Sequence, residues 1–217
     1  MSAAAPKATM SERVVAALRD EILSGRYRPG APLREEVIGA AHGLSRNAVR
    51  EVLRVLSAEG LATYTAFRGF RVPLLTVRDV EDIYRARRFV ECGAVSLGDV
   101  EPDMAGFADI HSRFAAAVGR GDADEAFGLD LEFHAGLVGL SGSERLVAWH
   151  RELMHGLRLS HLVGPSFGGQ LLVDSIPQHA EILVALAGAE RGRAAEALQA
   201  HLRHTECALI REMSAPA

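Results

Sequence analysis

The stretch that decides the fold is LREEVIGAAHGLSRNAVREVLRVLSAEGL, residues 33–61. Its apolar spacing predicts two short helices, over about 34–41 and 46–59, that are joined by a tight turn at Gly43. Ser45 is suited to cap the second helix, because its hydroxyl can accept a hydrogen bond from a backbone N–H in the first turn. Small and aliphatic residues fill one face of this helix, so we expect that face to be buried.

The other face of the second helix carries basic and amide side chains at its N-terminal end. Arg46 and Arg50 are four residues apart and therefore share a face. Arginine can bond bidentately to guanine or to phosphate, and Asn47 can read adenine or bind phosphate. This pattern favours a recognition helix that enters the major groove of DNA. The alternative for Arg50 is a surface ion pair with Glu51 or Glu59.

The segments on either side complete a small domain. A helix is predicted over Glu12–Ser24, with Ser11 as its cap. Residues 61–73 contain two strand-like segments, and Arg68 and Gly69 lie between them at the tip of a hairpin. Three helices followed by a basic hairpin indicate a winged helix-turn-helix. The tip is predicted to contact the DNA backbone or minor groove, although a purely structural turn is the alternative.

Charge separates this part of the chain from the rest. The 217 residues have an ordinary globular composition, with 48% hydrophobic residues and a net charge of -4. Residues 1–75 carry 11 Lys and Arg against 7 Asp and Glu, whereas residues 76–217 carry 13 against 21. We therefore predict a DNA-binding domain over 1–75 and a second domain over 76–217, with chance imbalance as the alternative. Because no signal peptide or membrane span is evident, we expect a cytoplasmic protein with no membrane partner.

The second domain is predicted to be all-helical. Thr76 can cap a long helix over about 77–97, and Gly-rich or polar breaks divide the remainder into further amphipathic helices. Short connections between about six such helices indicate an antiparallel bundle. The predicted fold class is therefore mainly α, with an N-terminal winged helix-turn-helix followed by this bundle.

One carboxylate and three imidazoles on three of these helices form a candidate metal site. Asp130 and His134 are four apart on one helix, and His179 and His201 lie on two later helices. This set of donors suits a divalent metal, zinc above all, with nickel or manganese as alternatives. Spacing alone leaves open that these histidines are packed or surface residues.

Residues 11–75 contain a characteristic series of short motifs: Leu18-Arg19, Pro29-Gly30, Gly43-Leu44-Ser45-Arg46, Val49-Arg50-Glu51, Glu59-Gly60-Leu61 and Arg68-Gly69. Through these motifs the segment resembles the winged helix-turn-helix of GntR-type bacterial transcription regulators. His42 and Glu36 depart from the usual pattern of that family. The resemblance implies binding to a double-stranded DNA operator, with contacts from Arg34, Ser45, Arg46, Asn47, Arg50, Arg68 and Gly69.

Residues 76–213 resemble the FCD ligand-binding domain of the FadR subgroup, through Arg87 with Val90-Glu91, Asp130 with Phe133-His134, His179, and Ala200-His201-Leu202. The resemblance implies that Asp130, His134, His179 and His201 hold a metal beside a small carboxylate effector. Arg87 is a candidate carboxylate clamp or, equally, a buried partner of Glu91. Arg158 and Ser160 are weaker candidates for effector binding.

These features together predict a ligand-responsive transcription regulator that acts as a homodimer and is not an enzyme. It is expected to be a repressor that a small carboxylate releases from its operator. The alternative is a metal-dependent hydrolase fused to a DNA-binding module. Glu132 lies two residues from both Asp130 and His134, so it points elsewhere on the helix and leaves the metal motif without an evident general base.

Overall fold

The computed structural model describes residues 9–162 and 169–214, with the side chains of Ser160 and His161 left out. In this part of the chain there are nine helices and one two-stranded sheet, which confirms the mainly α fold class. The described residues divide into two compact units, one of residues 9–74 with 155–162 and the other of residues 75–154 with 169–214. No helix of the described residues is both long and apolar enough to cross a membrane.

The first unit begins with three helices: α1 (Met10–Leu23), α2 (Glu35–His42) and α3 (Arg46–Ala58). Helix α3 packs against both α1 and α2 through buried aliphatic residues. The prediction that Ser11 caps α1 was wrong, because the cap is Thr9. The Thr9 hydroxyl accepts from the Glu12 N–H at 3.2 Å, and the Glu12 carboxylate accepts from the Thr9 N–H at 2.6 Å. This reciprocal capping box satisfies two backbone donors and moves the helix start upstream.

The turn between α2 and α3 forms as the sequence predicts. Gly43 adopts φ 65°, a left-handed conformation that costs glycine no steric strain. The Ser45 hydroxyl accepts from the Ala48 N–H at 3.3 Å, which confirms the predicted cap of α3. A short turn with these two features fixes the direction in which α3 leaves α2.

A hairpin follows, formed by β1 (Thr63–Thr65) and β2 (Gly69–Arg71), which pair antiparallel. The turn spans residues 66–68 and is closed by the Arg68 N–H, which donates to the Thr65 carbonyl at 3.1 Å. Gly69 is paired with Thr65 in the sheet, so the tip lies slightly earlier than predicted. Phe67 occupies this tip with φ 64°, fully exposed. Three helices and this hairpin make a winged helix-turn-helix.

Six further helices follow in the described residues, as predicted: α4 (Val77–Leu97), α5 (Met104–Arg120), α6 (Ala123–Gly139), α7 (Glu144–His161), α8 (Gly169–Ala187) and α9 (Arg191–Ser214). They build the second unit, except that the end of α7, from His155 onward, belongs to the first. Helix α4 packs against α6 and α9, while α8 packs against α5, α6 and α9. Thr76 caps α4 with a capping box to Asp79. Helix α8 runs as one helix through Pro177. This packing brings α4, α6, α8 and α9 around a common interior.

Candidate functional site

The N-terminal end of α3 presents an exposed basic surface. Arg46 and Arg50 keep 69% and 45% of their side-chain area exposed. Both are held by Glu35 of α2, since Arg46 Nε donates to its Oε2 at 2.7 Å and Arg50 Nε lies 3.1 Å from its Oε1. One carboxylate therefore positions two guanidinium groups side by side. We call these three residues the Glu35 cluster.

Arg50 forms its ion pair with Glu35, and not with Glu51 or Glu59 as the alternative interpretation of the sequence had it. Glu51 is bonded instead to Arg54, at 2.7 Å, and Glu59 is bonded to Arg19, at 2.6 Å. The alternative ion pair of Arg50 was therefore right about an ion pair but wrong about the partner, because Glu51 and Glu59 bond other arginines and Glu35 of α2 lies beside Arg50. Sequence spacing within one helix gave no signal for this contact between helices.

The hairpin tip shares this surface with α3. A groove of about 250 Å³ is lined by residues of both, among them Arg34, Glu35, Arg46, Arg68 and Gly69. Ser45, Asn47, Arg34 and Arg68 are exposed. Of the seven predicted DNA-binding residues, six lie on α3, in the turn before it or on the nearby hairpin, and Arg34 lies at the start of α2. Their individual contacts with DNA stay predictions.

The second unit brings the four candidate metal ligands together. Asp130 and His134 lie one turn apart on α6, His179 is on α8 and His201 is on α9. One ligand atom from each lies within 4.8 Å of all the others. The three histidines are buried, and Asp130 keeps 14% of its side-chain area exposed. We call these four residues the Asp/His cluster.

The ring nitrogens and the carboxylate oxygen of the Asp/His cluster face one another, and hydrogen bonds within the cluster do not satisfy all of them. His134 Nε2 lies 3.2 Å from His201 Nε2, and His179 Nε2 lies 3.5 Å from Asp130 Oδ1. Neither ring nitrogen of His179 has a hydrogen-bond partner among the described residues. Buried polar atoms almost always have a partner, so this is the arrangement that a cation would satisfy.

Burial sets the charges of the cluster. It lowers the pKa of His179 and His201 well below the ordinary value, with neighbouring imidazoles acting in the same direction, so both imidazoles are neutral. Burial also raises the pKa of Asp130. A bound divalent cation opposes that effect by stabilising the ionised carboxylate. The residues present therefore fit a divalent metal by donor type, burial and unmet hydrogen bonding.

A second carboxylate, Glu91 of α4, lies behind the cluster. Its Oε1 accepts from Arg87 Nε at 2.6 Å and from His150 Nε2 at 2.9 Å, and its Oε2 accepts from His134 Nδ1 at 2.7 Å. Burial opposes the charge of Glu91, but Arg87 and the two histidines bring its pKa well below the ordinary value. We call Glu91, Arg87 and His150 the Glu91 network. The sequence analysis assigned no role to His150. The spacing of residues within α7 does not indicate that His150 contacts Glu91 of α4.

The predicted effector-binding residues Arg87 and Arg158 lie in different units of the structure. Arg87 is buried in its pair with Glu91, yet its Nη2 has no hydrogen-bond partner among the described residues. Arg158 belongs to the first compact unit, where its Nε donates to the Leu23 carbonyl at 3.1 Å, whereas the Asp/His cluster belongs to the second. The Ser160 side chain lies outside the described residues. Effector binding by Arg87, Arg158 and Ser160 stays a prediction.

A winged helix-turn-helix followed by an all-helical domain is the architecture of a DNA-binding transcription regulator. Comparison with known families agrees: residues 10–72 match "Bacterial regulatory proteins, gntR family" and residues 82–204 match the FCD domain. The chain therefore belongs to the GntR family of transcription regulators and carries the FCD domain of its FadR-like members. It is a ligand-responsive DNA-binding regulator.

Individual relatives extend over most of the chain. It is 31% identical over 184 residues to the Nta operon transcriptional regulator of Aminobacter aminovorans, covering 83% of this chain and 85% of that protein. It is 29% identical to the transcriptional repressor GlaR of Escherichia coli K12, covering 85% and 89%. A GntR transcriptional regulator structure from Rhodococcus sp. RHA1 superimposes with a TM-score of 0.83 at 30% identity, covering 93% and 97%. Because this family consists of regulators, the hydrolase alternative has no support.

Proposed function

We propose that this regulator is a homodimeric repressor, and that a small carboxylate bound beside a metal in the FCD domain releases it from its operator. The observation that carries the proposal is the convergence of four ligand atoms within 4.8 Å, at which both nitrogens of buried His179 have no hydrogen-bond partner among the described residues. Such a site is costly to maintain unless something binds there.

The proposed metal is divalent, with zinc the best fit to three imidazoles and one carboxylate. Nickel and manganese accept the same donors. Asp130, His134, His179 and His201 would hold it. When bound, the metal supplies a Lewis-acid site for a carboxylate oxygen. Asp130 is the most exposed of the four, so we expect an effector to approach from its side.

Charge supports a small anion as the effector. When ionised, Asp130, Glu91 and Arg87 sum to -1, and a divalent cation changes this sum to +1. A monocarboxylate restores neutrality, which matters because unbalanced charge is expensive in a buried site. Arg87 Nη2 has no hydrogen-bond partner among the described residues, and a guanidinium binds carboxylate oxygens well. Arg87 is therefore the proposed clamp as well as the partner of Glu91.

The proposed DNA contacts come from the exposed basic surface of α3, the residues before it and the hairpin tip. In a homodimer, two copies of α3 would lie in successive major grooves, so the operator is expected to be a short imperfect palindrome. An exposed groove on α4 that includes Phe89 and Leu97, which are 79% and 86% exposed, supports pairing with a second copy. The proposed site of action is the cytoplasm, where the DNA is.

The test combines metal analysis with DNA release. The purified protein is expected to contain a stoichiometric divalent metal, and zinc added after chelation should raise its melting temperature, because a ligand that binds only the folded state stabilises it. A screen of small carboxylates should find one that raises the melting temperature further only when metal is bound. The same compound should release the protein from a duplex selected in vitro from a random library.

Two variants sharpen this test. His179→Ala removes a ligand and should abolish both the metal and the carboxylate response. Glu132→Gln changes an exposed carboxylate on α6, the helix that also carries Asp130 and His134, and should leave both responses intact. Zinc binding that is equally strong in His179→Ala would rule out the proposed metal site. A carboxylate response that survives chelation would rule out the role of the metal in effector binding.

A further inference from the structure

The hydrogen bonds behind the Asp/His cluster determine which nitrogen of each ring faces inward. We infer that Glu91 and Gln178 fix the ring tautomers of His134 and His201, so that Nδ1 carries the hydrogen and Nε2 is directed at the cation. The inference rests on the proposed metal site for the identity of the cation. It adds two residues that do not bind the metal themselves but position those that do.

The argument for His134 begins with the charge of Glu91. An ionised carboxylate only accepts hydrogen bonds, and Glu91 already accepts from Arg87 and His150 through Oε1. His134 Nδ1 lies 2.7 Å from the other oxygen, Oε2. The hydrogen of that contact must therefore come from the ring, which makes Nδ1 the protonated nitrogen. His134 Nε2, on the opposite side of the ring, faces the Asp/His cluster.

The argument for His201 uses a neutral partner. Its Nδ1 lies 2.7 Å from the side-chain oxygen of Gln178, which is on α8 one residue before His179. An amide oxygen accepts but never donates, so this ring also carries its hydrogen on Nδ1. Its Nε2 consequently faces His134 Nε2 across 3.2 Å. Two rings from different helices are thus set in the same tautomer by partners from two others, and both Nε2 atoms point at one place.

His179 has no such partner within residues 9–162 and 169–214, and it is oriented differently. Its ring stacks on Phe133, with centroids 4.1 Å apart and planes 14° from parallel. Packing therefore fixes the plane of His179, whereas hydrogen bonds fix the planes and tautomers of His134 and His201. The partner of His134 is a carboxylate and the partner of His201 is an amide, and a charged acceptor increases the electron density of an imidazole more than an amide does.

The tautomers can be measured directly. In protein labelled with ¹⁵N-histidine, long-range ¹⁵N–¹H correlation spectra distinguish protonated from unprotonated ring nitrogens. We expect protonated Nδ1 atoms in His134 and His201 both in the chelated protein and in the zinc-loaded protein. An unprotonated Nδ1 in either ring would overturn the inference. Because the chelated protein is sufficient for this test, a failure of the protein to bind zinc would reject the metal site without obscuring the tautomer result.

Variants test whether the two partners matter for binding. Zinc affinity is measured by competition with a chromophoric chelator. Gln178→Leu removes the acceptor and is expected to weaken zinc binding by about 10- to 100-fold. Gln178→Glu keeps an acceptor at the same place and should bind zinc at least as tightly as the wild type. Equal affinities for the leucine variant and the wild type would contradict a positioning role for Gln178.

Glu91→Gln tests the charged partner in the same assay, and a loss of about 10- to 100-fold is expected. This change also removes the charge that balances Arg87, so the Gln178 variants and the spectra decide the inference if Glu91→Gln does not fold. Glu132→Gln is the matched control, an exposed carboxylate on α6 whose loss should leave zinc affinity unchanged. Undiminished zinc binding by folded Glu91→Gln would contradict the role assigned to Glu91.

Discussion

The Glu35 cluster and the Glu91 network use the same device in opposite surroundings. In each, one glutamate holds several cationic or hydrogen-donating side chains: Glu35 holds two arginines at the surface, and Glu91 holds one arginine and two histidines in the interior. At the surface, water and salt compete with the ion pairs, which leaves the guanidinium groups able to exchange Glu35 for the DNA contacts that we propose. In the interior no such exchange is available, so the network fixes geometry.

The largest expected effect is a difference in the free energy of unfolding between variants of Glu91 and variants of Glu35. Glu91→Leu leaves the buried Arg87 charge without its partner and is expected to lower the free energy of unfolding by about 3–5 kcal/mol. Glu35→Leu, the matched change in the exposed cluster, should cost far less, because its arginines remain hydrated. Urea unfolding of both metal-free variants measures the difference. Similar losses for the two would break the comparison.

The exposed cluster should matter for DNA instead of stability. Arg46→Ala is expected to weaken binding to a duplex selected in vitro with the wild-type protein by about 10- to 100-fold, because a bidentate arginine contact is lost. The circular dichroism spectrum and melting temperature should be unchanged. Arg54→Ala is the control, since Arg54 is an equally exposed arginine on α3 that pairs with Glu51. Undiminished affinity of a folded Arg46→Ala protein would contradict the proposed DNA contact of Arg46.

A smaller effect is expected at the hairpin tip. Phe67 has φ 64°, a conformation that costs a non-glycine residue about 1–3 kcal/mol. Phe67→Gly relieves this strain but adds freedom to the unfolded chain, so a net gain of about 1 kcal/mol in the free energy of unfolding is expected. Phe67→Ala keeps the strain and should bring no gain. A Phe67→Gly protein that is less stable than the wild type would show that the aromatic ring contributes to the fold.

The smallest effect tests the exchange of Glu35 for DNA. Glu35→Gln keeps the shape of the side chain but releases Arg46 and Arg50 from their anionic partner. We expect the melting temperature to fall by no more than about 4 °C, because exposed ion pairs contribute little. Discrimination between the selected duplex and a scrambled one should decrease, since two unrestrained arginines bind any phosphate. Titrations of both duplexes by fluorescence anisotropy measure this ratio, and an unchanged ratio would argue against a positioning role for Glu35.

The sequence by itself determined the local features of this protein. The turn at Gly43, the cap at Ser45 and the capped helix α4 follow from backbone preferences within a few residues, and each was predicted. The pairing of Asp130 with His134 on one face also follows from helix geometry alone. Even here the start of α1 was missed, because Thr9 and Ser11 are both good caps and only the reciprocal bond to Glu12 distinguishes them.

Only the tertiary structure decided which residues stand behind the functional groups. Glu35 reaches Arg46 from another helix, His150 reaches Glu91 from α7, and Gln178 reaches His201 from α8. Such contacts depend on how each helix is rotated about its axis and where it crosses its neighbours. The periodicity of a single helix specifies a buried face, but it does not specify which side chain of another helix meets that face.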